Sequence, residues 1–557
     1  MRRFLPLPVL LATLLAAAVV FGGATVRAAS SVSHSPQIGA QARPDLTFLS
    51  VQPQQIFHVR TPADGGNDSN PGTAQRPWAT IGKALTTLTA GQTAHVHTGT
   101  YQESRVPTAN AGLPAKPIRL TAAPNEQAPT ILGGVPSPGA PPLSGPFLWL
   151  TRSYWIVEGF KIDAAGSGDN AIRFDGVDHA VAQNIEAMNS TGGGAVAFSG
   201  ATDAALLKGI VHNNPATPVP NSAVDRHGVL INSGSARVLI QGNRSYGNDG
   251  DSVQCQNTNP ARPGVPTDIT IEFNRFYQDV ENAVDIKTCH NVSVRANKIY
   301  GYRAALAQNR SPQGFAMVVH ENADGILVEL NRVWDSGGAL TIGAGNGTVG
   351  VVLARRNLVF DAPRIIESGK VLAEGNGFQA PGHVQDVWFL NNTFYNLAYR
   401  AIRLGSDAPV QRVQLLNNIV ARANIGLNLY KQNVPVLSSN NNLFFQAPPV
   451  IDFNTTAITT WAAWQARGYD SASVIDKDPL FVPNPRHNDF YTLPGSPARD
   501  VAAPTGEPFC FTGLDIGFLE SCFESWSGSV AAPARGEPTH SINGAYLTYR
   551  WAPRGRS

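Results

Sequence analysis

The chain has 557 residues, 43% hydrophobic and only 15% charged, a composition that supports a large core and excludes the disordered classes. Its formal net charge is +2 and no run of Lys and Arg occurs in the body of the chain, so nothing points to a nucleic-acid partner.

Residues 1–28 read as a secretory signal: Arg2 and Arg3, an apolar run from Phe4 to Phe21, then small residues with a cut expected after Ala28. The competing reading is an uncleaved anchor, because the run is nearly long enough to span a bilayer. With the signal removed no membrane span is expected, and the chain is placed outside the cell or in the periplasm. Residues 29–55 read as a linker. In PWATIGKALTTL, residues Trp78, Ile81, Leu85 and Leu88 share one helical face, which predicts a short capping helix.

Residues 56–450 carry a repeat. Asn, any residue, an apolar residue and usually an aromatic recur as NRSY at Asn243, NRFY at Asn274, NKIY at Asn297 and NRVW at Asn331. The series continues with NLVF at Asn357, NTFY at Asn392, NIVA at Asn418 and NLFF at Asn442, at spacings of 23 to 35 residues. Short alternating strands precede each Asn, as in RVLIQGN and DITIEFN, with a second strand further upstream, as in HGVLIN and AVDIK. Two or three short strands per repeat of variable length predict an all-β fold, a right-handed parallel β-helix whose coils stack at about 4.8 Å. The repeated Asn is expected at a tight inward turn, its amide bonded up and down the stack. Residues 451–522 are expected to close the far end, and 523–557 to form a loosely ordered tail.

With the Asn as register mark, Ala283–Lys287 stacks between Ser252–Gln256 and Phe315–Asn322. Alternation sends Val253, Cys255, Val284, Ile286, Met317 and Val319 inward. The outward column then reads Asn232, Gln256, Lys287, His320, Gly343, with Leu230, Gln254, Asp285, Val318 and Thr341 beside it. Neighbouring turns add Asp249, Asp251 and Glu281, and two long flanking excursions add Arg262, Arg303 and Arg310. A charged strand pair is often plain solvated surface. Here unlike polar groups concentrate on one patch, in a chain with only 9 Lys against 33 Arg. The expected roles are Lys287 and His320 as catalytic residues, and Asn232, Gln254, Gln256, Arg303 and Arg310 as substrate contacts. Asp249, Asp251, Glu281 and Asp285 are expected to offer the hard oxygen ligands that calcium takes. Of the four cysteines, Cys510 and Cys522 are expected to bond to each other. Cys255 and Cys289 are expected on adjacent coils, bonded if their orientations agree.

The segment DSNPGTAQRPWATIGKAL resembles the opening of many secreted right-handed β-helix proteins, and DKDPLFVPNPRHNDFYTLPGSPARD resembles their ending. ENAVDIKTCHNVSVRANKI resembles the lysine-bearing strand of β-helix polysaccharide lyases, the chondroitinase B and alginate lyase group, where a Lys is followed four residues later by Asn-Val. Those positions here are Lys287, Asn291 and Val292. The resemblance implies an acidic polysaccharide as substrate, Lys287 as base, and calcium to neutralise the substrate carboxylate. In place of that group's assisting Arg stands His320 or Glu321, and its paired glutamates are not reproduced, Asp285 and Glu281 being nearest. The chain is expected to act as a monomer. Three alternatives stay open: a glycoside hydrolase using Asp251 and Asp285, a C5-epimerase, and a non-catalytic carbohydrate-binding or cell-surface solenoid.

Overall fold

The computed structural model describes residues 38, 41–103, 106–133, 146–166, 169–215, 225–258, 263–304, 314–482, 490–505 and 513–519. The expected signal and tail, Cys510, Cys522, Arg262 and Arg310 lie outside these residues. Among the described residues no helix is long and apolar enough to cross a membrane.

The repeat folds as coils of three short strands. One coil comprises Val284–Lys287, His290–Arg295 and Lys298–Tyr300, and each strand pairs in parallel with its counterpart in the next coil. Alternation within each strand sends one set of apolar side chains into the coil, and Val253, Cys255, Val284, Ile286, Met317 and Val319 are all buried there, as expected. One face is a sheet of fourteen described strands, from Gln55–Val59 to Val436–Asn440. The other two faces carry the Val284–Lys287 series and the Lys298–Tyr300 series.

The repeated asparagines form a continuous buried ladder. Asn274 donates from its backbone N and its Nδ2 to Asn297 Oδ1 at 2.9 and 3.1 Å, and Asn297 does the same to Asn331 at 3.1 and 3.0 Å. The pattern runs on through Asn357, Asn392 and Asn418 to Asn442. Each amide also donates to a main-chain carbonyl, as Asn297 does to Ile271 at 2.9 Å. Every polar atom that the turn brings indoors therefore has a partner, which is the condition for burying it.

Both ends are covered. Helix Ile81–Thr87 starts at Thr80, whose hydroxyl accepts from Lys83 N at 3.0 Å, and it buries Ile81 and Leu85 beside Trp78 and Leu88. Helix Trp461–Gln465 closes the other end, with Trp461 stacked on Phe444 and Trp464 Nε1 donating to Asp470.

Residues 41–51, expected as linker, instead run as a strap across the outside of the fourteen-stranded sheet. Phe48 is buried against Ile156, Val181 and Ala205, while Arg119 Nη2 donates to the Leu49 and Val51 carbonyls at 2.7 Å. Further along, Asp45 N donates to Asp203 Oδ1 at 3.1 Å, Arg43 pairs with Glu272, and Ile38 rests on the cluster of Leu353 and Trp388. Its apolar residues are placed where the sheet presents apolar ones.

Candidate active site

Parallel pairing sets Lys287 beside His320, Asp285 beside Val318 and Gln254 beside Asp285. The column Leu230, Gln254, Asp285, Val318, Thr341 follows the expected register throughout. One step of the other column differs. A bulge after Val319 sets His320 opposite Ala344 rather than Gly343, because one strand carries an extra residue there.

Although this face points away from the coil, its centre is not solvated. The Asp285 side chain is 7% exposed beneath Lys287 at 25% and His320 at 17%. Lys287 Nζ lies 3.2 Å from Asp285 Oδ2, and His320 Nε2 lies 2.8 Å from Oδ1. Burial alone would raise the Asp285 carboxyl, but the hydrogen bond and charge of His320, together with Lys287, outweigh it and hold the group below its usual range. The same pairing acts in reverse on the cations. Burial pulls the Lys287 ammonium down, yet Asp285 and Asp251 lift it above its ordinary value, and the Asp285 contact likewise leaves His320 raised.

One coil earlier lies a second acidic group. Asp251 is fully buried and pushed well up, first by burial and then by Asp285. Glu281 is raised to about 8 by burial, Asp251 and Asp225. His227 Nδ1 accepts the Asp251 backbone N–H at 3.0 Å, and burial lowers its pKa. Gly250 permits this approach, since a Cβ there would stand 2.5 Å from His227 Nδ1. Gln254 Nε2 reaches Asp251 at 3.1 Å and Asp285 at 3.3 Å, tying the two acidic groups together.

Ligand atoms of His227, Asp251 and Glu281 lie within 4.8 Å of one another, a spacing that suits one divalent cation. Carboxylates crowded enough to retain protons are what a cation would relieve. The set differs from the expected one: His227 joins it, Asp249 lies outside the group, and Asp285 is engaged by Lys287 and His320. A nitrogen donor makes manganese or zinc as suitable as calcium. Because Glu281 is raised, its contribution to stability is present below about pH 4.5 and lost as pH rises toward 8. A cation binds the ionised form, so the gain in melting temperature on adding calcium or manganese should grow between pH 5.5 and 8. Melts with metal or chelator at both pH values check this, and an equal response at the two would remove the cation from this cluster.

The expected substrate contacts fare unevenly. Gln254 is buried between carboxylates, and Asn232 Oδ1 is occupied by the N–H groups of Ser233 and Thr258. Gln256 stays part-exposed on the Lys287 column, its backbone N bonded to Ile231 O. Arg303 is turned to Asp335 and to the Tyr302 carbonyl rather than toward the acidic face. Cys255 and Cys289 form a disulfide between adjacent coils, Cα to Cα 6.2 Å, and no described cysteine is free.

A family described as a right-handed beta helix region matches residues 147–333. The chain is a right-handed parallel β-helix. Residues 64–109, which hold the capping helix, match a family described as a protein of unknown function. The search of curated proteins returns no match. Among solved structures, the β-helix is similar to the pectate lyase Pel9A at 14% identity, covering 86% of this chain and 98% of that one, with TM-score 0.43. It is similar also to an alginate lyase from Paenibacillus sp. str. FPU-7 at 18% identity, covering 59% and 99%, TM-score 0.41. A third similar structure is a mannuronic acid specific polysaccharide family 6 lyase from human gut microbiota, at 14% identity, covering 78% and 93%, TM-score 0.44.

Proposed function

We propose that this β-helix is a polysaccharide lyase that cleaves a uronate-containing chain by β-elimination at the Asp285, Lys287 and His320 cluster. The observation that carries the reading is one ionised, buried carboxylate clamped by a lysine ammonium and a histidine whose outer ends are the accessible groups of the face.

Elimination removes the proton at C5 of a uronate and breaks the C4–O bond, leaving a C4–C5 double bond. The C5 proton becomes acidic only when the neighbouring carboxylate is neutralised. A lysine at its ordinary value is unprotonated in about one molecule in a thousand near pH 7.5, and Asp285 makes that form rarer. Lys287 therefore serves as the cation that holds the carboxylate. His320 serves as the base: its Nε2–H donates to Asp285, which leaves Nδ1 to accept the C5 proton. Gly345 leaves room at that atom, since a Cβ there would stand 3.3 Å from Nδ1. The leaving oxygen takes its proton from water or from the Lys287 ammonium. A divalent cation held by His227, Asp251 and Glu281 would supply positive charge to the acidic groups one coil from Asp285.

A hydrolase built on Asp251 and Asp285 is disfavoured by access, because Asp251 is 0% exposed and Gln254 covers the space between the two. The test is to incubate the protein with polygalacturonate, alginate and chondroitin sulfate and follow ultraviolet absorbance of unsaturated ends. New reducing ends without absorbance would replace this reading with hydrolysis, and neither product would leave a binding protein.

A further inference from the structure

The repeat that sets the coils carries a second message in the residues after each Asn. Strands Arg244–Tyr246, Arg275–Tyr277, Lys298–Tyr300 and Arg332–Trp334 pair in exact succession, so their first residues stack and their third residues stack. The middle residues Ser245, Phe276, Ile299 and Val333 point into the core. Four cations thus stand in one column on the outer face, about 4.8 Å apart and about 14 Å end to end. Like charges directly opposite on neighbouring strands are destabilising. Two coils before Arg244 the same column alternates in sign, with Lys161 facing Glu186 at 3.9 Å. Among the described residues no carboxylate pairs with Arg244, Arg275 or Lys298. Burial lowers the Lys298 ammonium, and Arg332 and Arg275 lower it further, which is the repulsion made visible.

The third-position rings Tyr246, Tyr277, Tyr300 and Trp334 form the adjoining column, with centroids 4.6 to 5.1 Å apart and planes within 16° of parallel. Arg275 donates from Nη2 and Nε to the Tyr300 hydroxyl at 2.6 and 2.9 Å, which leaves that hydroxyl's own hydrogen for a ligand. We propose that the Arg244, Arg275, Lys298 column, with its tyrosine row, is a binding site for an anionic polysaccharide laid along the solenoid axis, on a different face from Asp285. The ring faces are taken by one another, so bases have nothing to stack on and single-stranded nucleic acid is a poor fit. What faces outward is a row of phenol hydroxyls and ring edges beside Arg244, Arg275 and Lys298, three stacked cations with no carboxylate partner among the described residues, which suits a polymer bearing carboxylates or sulfates and hydroxyls.

The inference stands apart from the cleavage site and is tested by binding alone. The full chain is run in affinity electrophoresis through gels containing polygalacturonate, alginate or chondroitin sulfate, at low and at high salt. Retention by at least one polymer, weakened by about tenfold or more in Arg275→Gln/Lys298→Gln and by salt in the parent, is the expected result. The double variant should melt no lower than the parent, because it removes repulsion and leaves the core side chains in place. Retention unchanged by the double variant, no retention on any of the three polymers, or equally tight binding of an oligo(dT) probe overturns the proposal. A parent chain that is retained but cleaves none of the polymers would count against the Asp285 site only, and loss of retention with cleavage intact is what the cation column predicts for its own double variant.

Discussion

Replacing His320 by Gln is expected to slow uronate cleavage by roughly 10²- to 10⁴-fold, the range that a positioned base supplies, while Lys287→Arg keeps a measurable share of activity. The contrast follows from Asp285. Its charge, 2.8 Å from one partner and 3.2 Å from the other, keeps Lys287 protonated and lifts His320 toward the pH at which it works. An Arg preserves positive charge on the column but cannot be deprotonated. It therefore separates the two roles that a Lys can play: if Lys287 were the base, Lys287→Arg would be as inactive as Lys287→Ala. Asp285→Asn should move the acid limb of the pH–rate profile to lower pH, since it removes the contact that raises His320. Rates across pH 5 to 9 for the four variants decide the matter. Full activity in His320→Gln would move the chemistry elsewhere.

The second large effect is on stability. Asn297→Ala is expected to cost roughly 3–4 kcal/mol, because it orphans several buried groups at once. Asn274 N and Nδ2 lose their acceptor, and the Ile271 carbonyl and Asn331 Oδ1 lose a donor. Asn297→Asp keeps the acceptor yet sets a buried charge facing two oxygens, so it should not rescue the fold. Urea midpoints at unchanged slope measure the loss. A cost below about 1 kcal/mol would mean that water enters the turn and replaces the ladder.

The coil architecture and the register of the Asp285 face could be read in the sequence because a solenoid makes both local. The Asn repeat marks where each coil turns, and alternation fixes which side chains go inward. The bulge after Val319 could not be read, since nothing in FAMVVH differs from a regular strand. His227 was within reach: the 24-residue offset that pairs Leu230 with Gln254 also sets His227 beside Asp251, at a strand end that alternation within the strand does not mark. The cation column is hidden for a related reason. Basic runs are a property along the chain, whereas Arg244, Arg275, Lys298 and Arg332 adjoin only through space, one per coil. How deeply Asp285 is buried depends on the reach of Lys287 and His320 over it, which strand periodicity does not encode.

In a simple stack of coils each turn touches only its neighbours, so stability adds up coil by coil and the ends can fray without the middle responding. The strap at residues 41–51 breaks that arrangement. It touches strands as far apart as Ile118–Ala122 and Thr267–Glu272, so the loss of either region frees its grip on the other. Sequence-distant coils then melt together, and the chain should behave under denaturant as one cooperative unit rather than as a row of nearly independent ones. Folding gains a late step for the same reason: the strap can dock only after the coils it crosses have been laid down, although it is made before any of them.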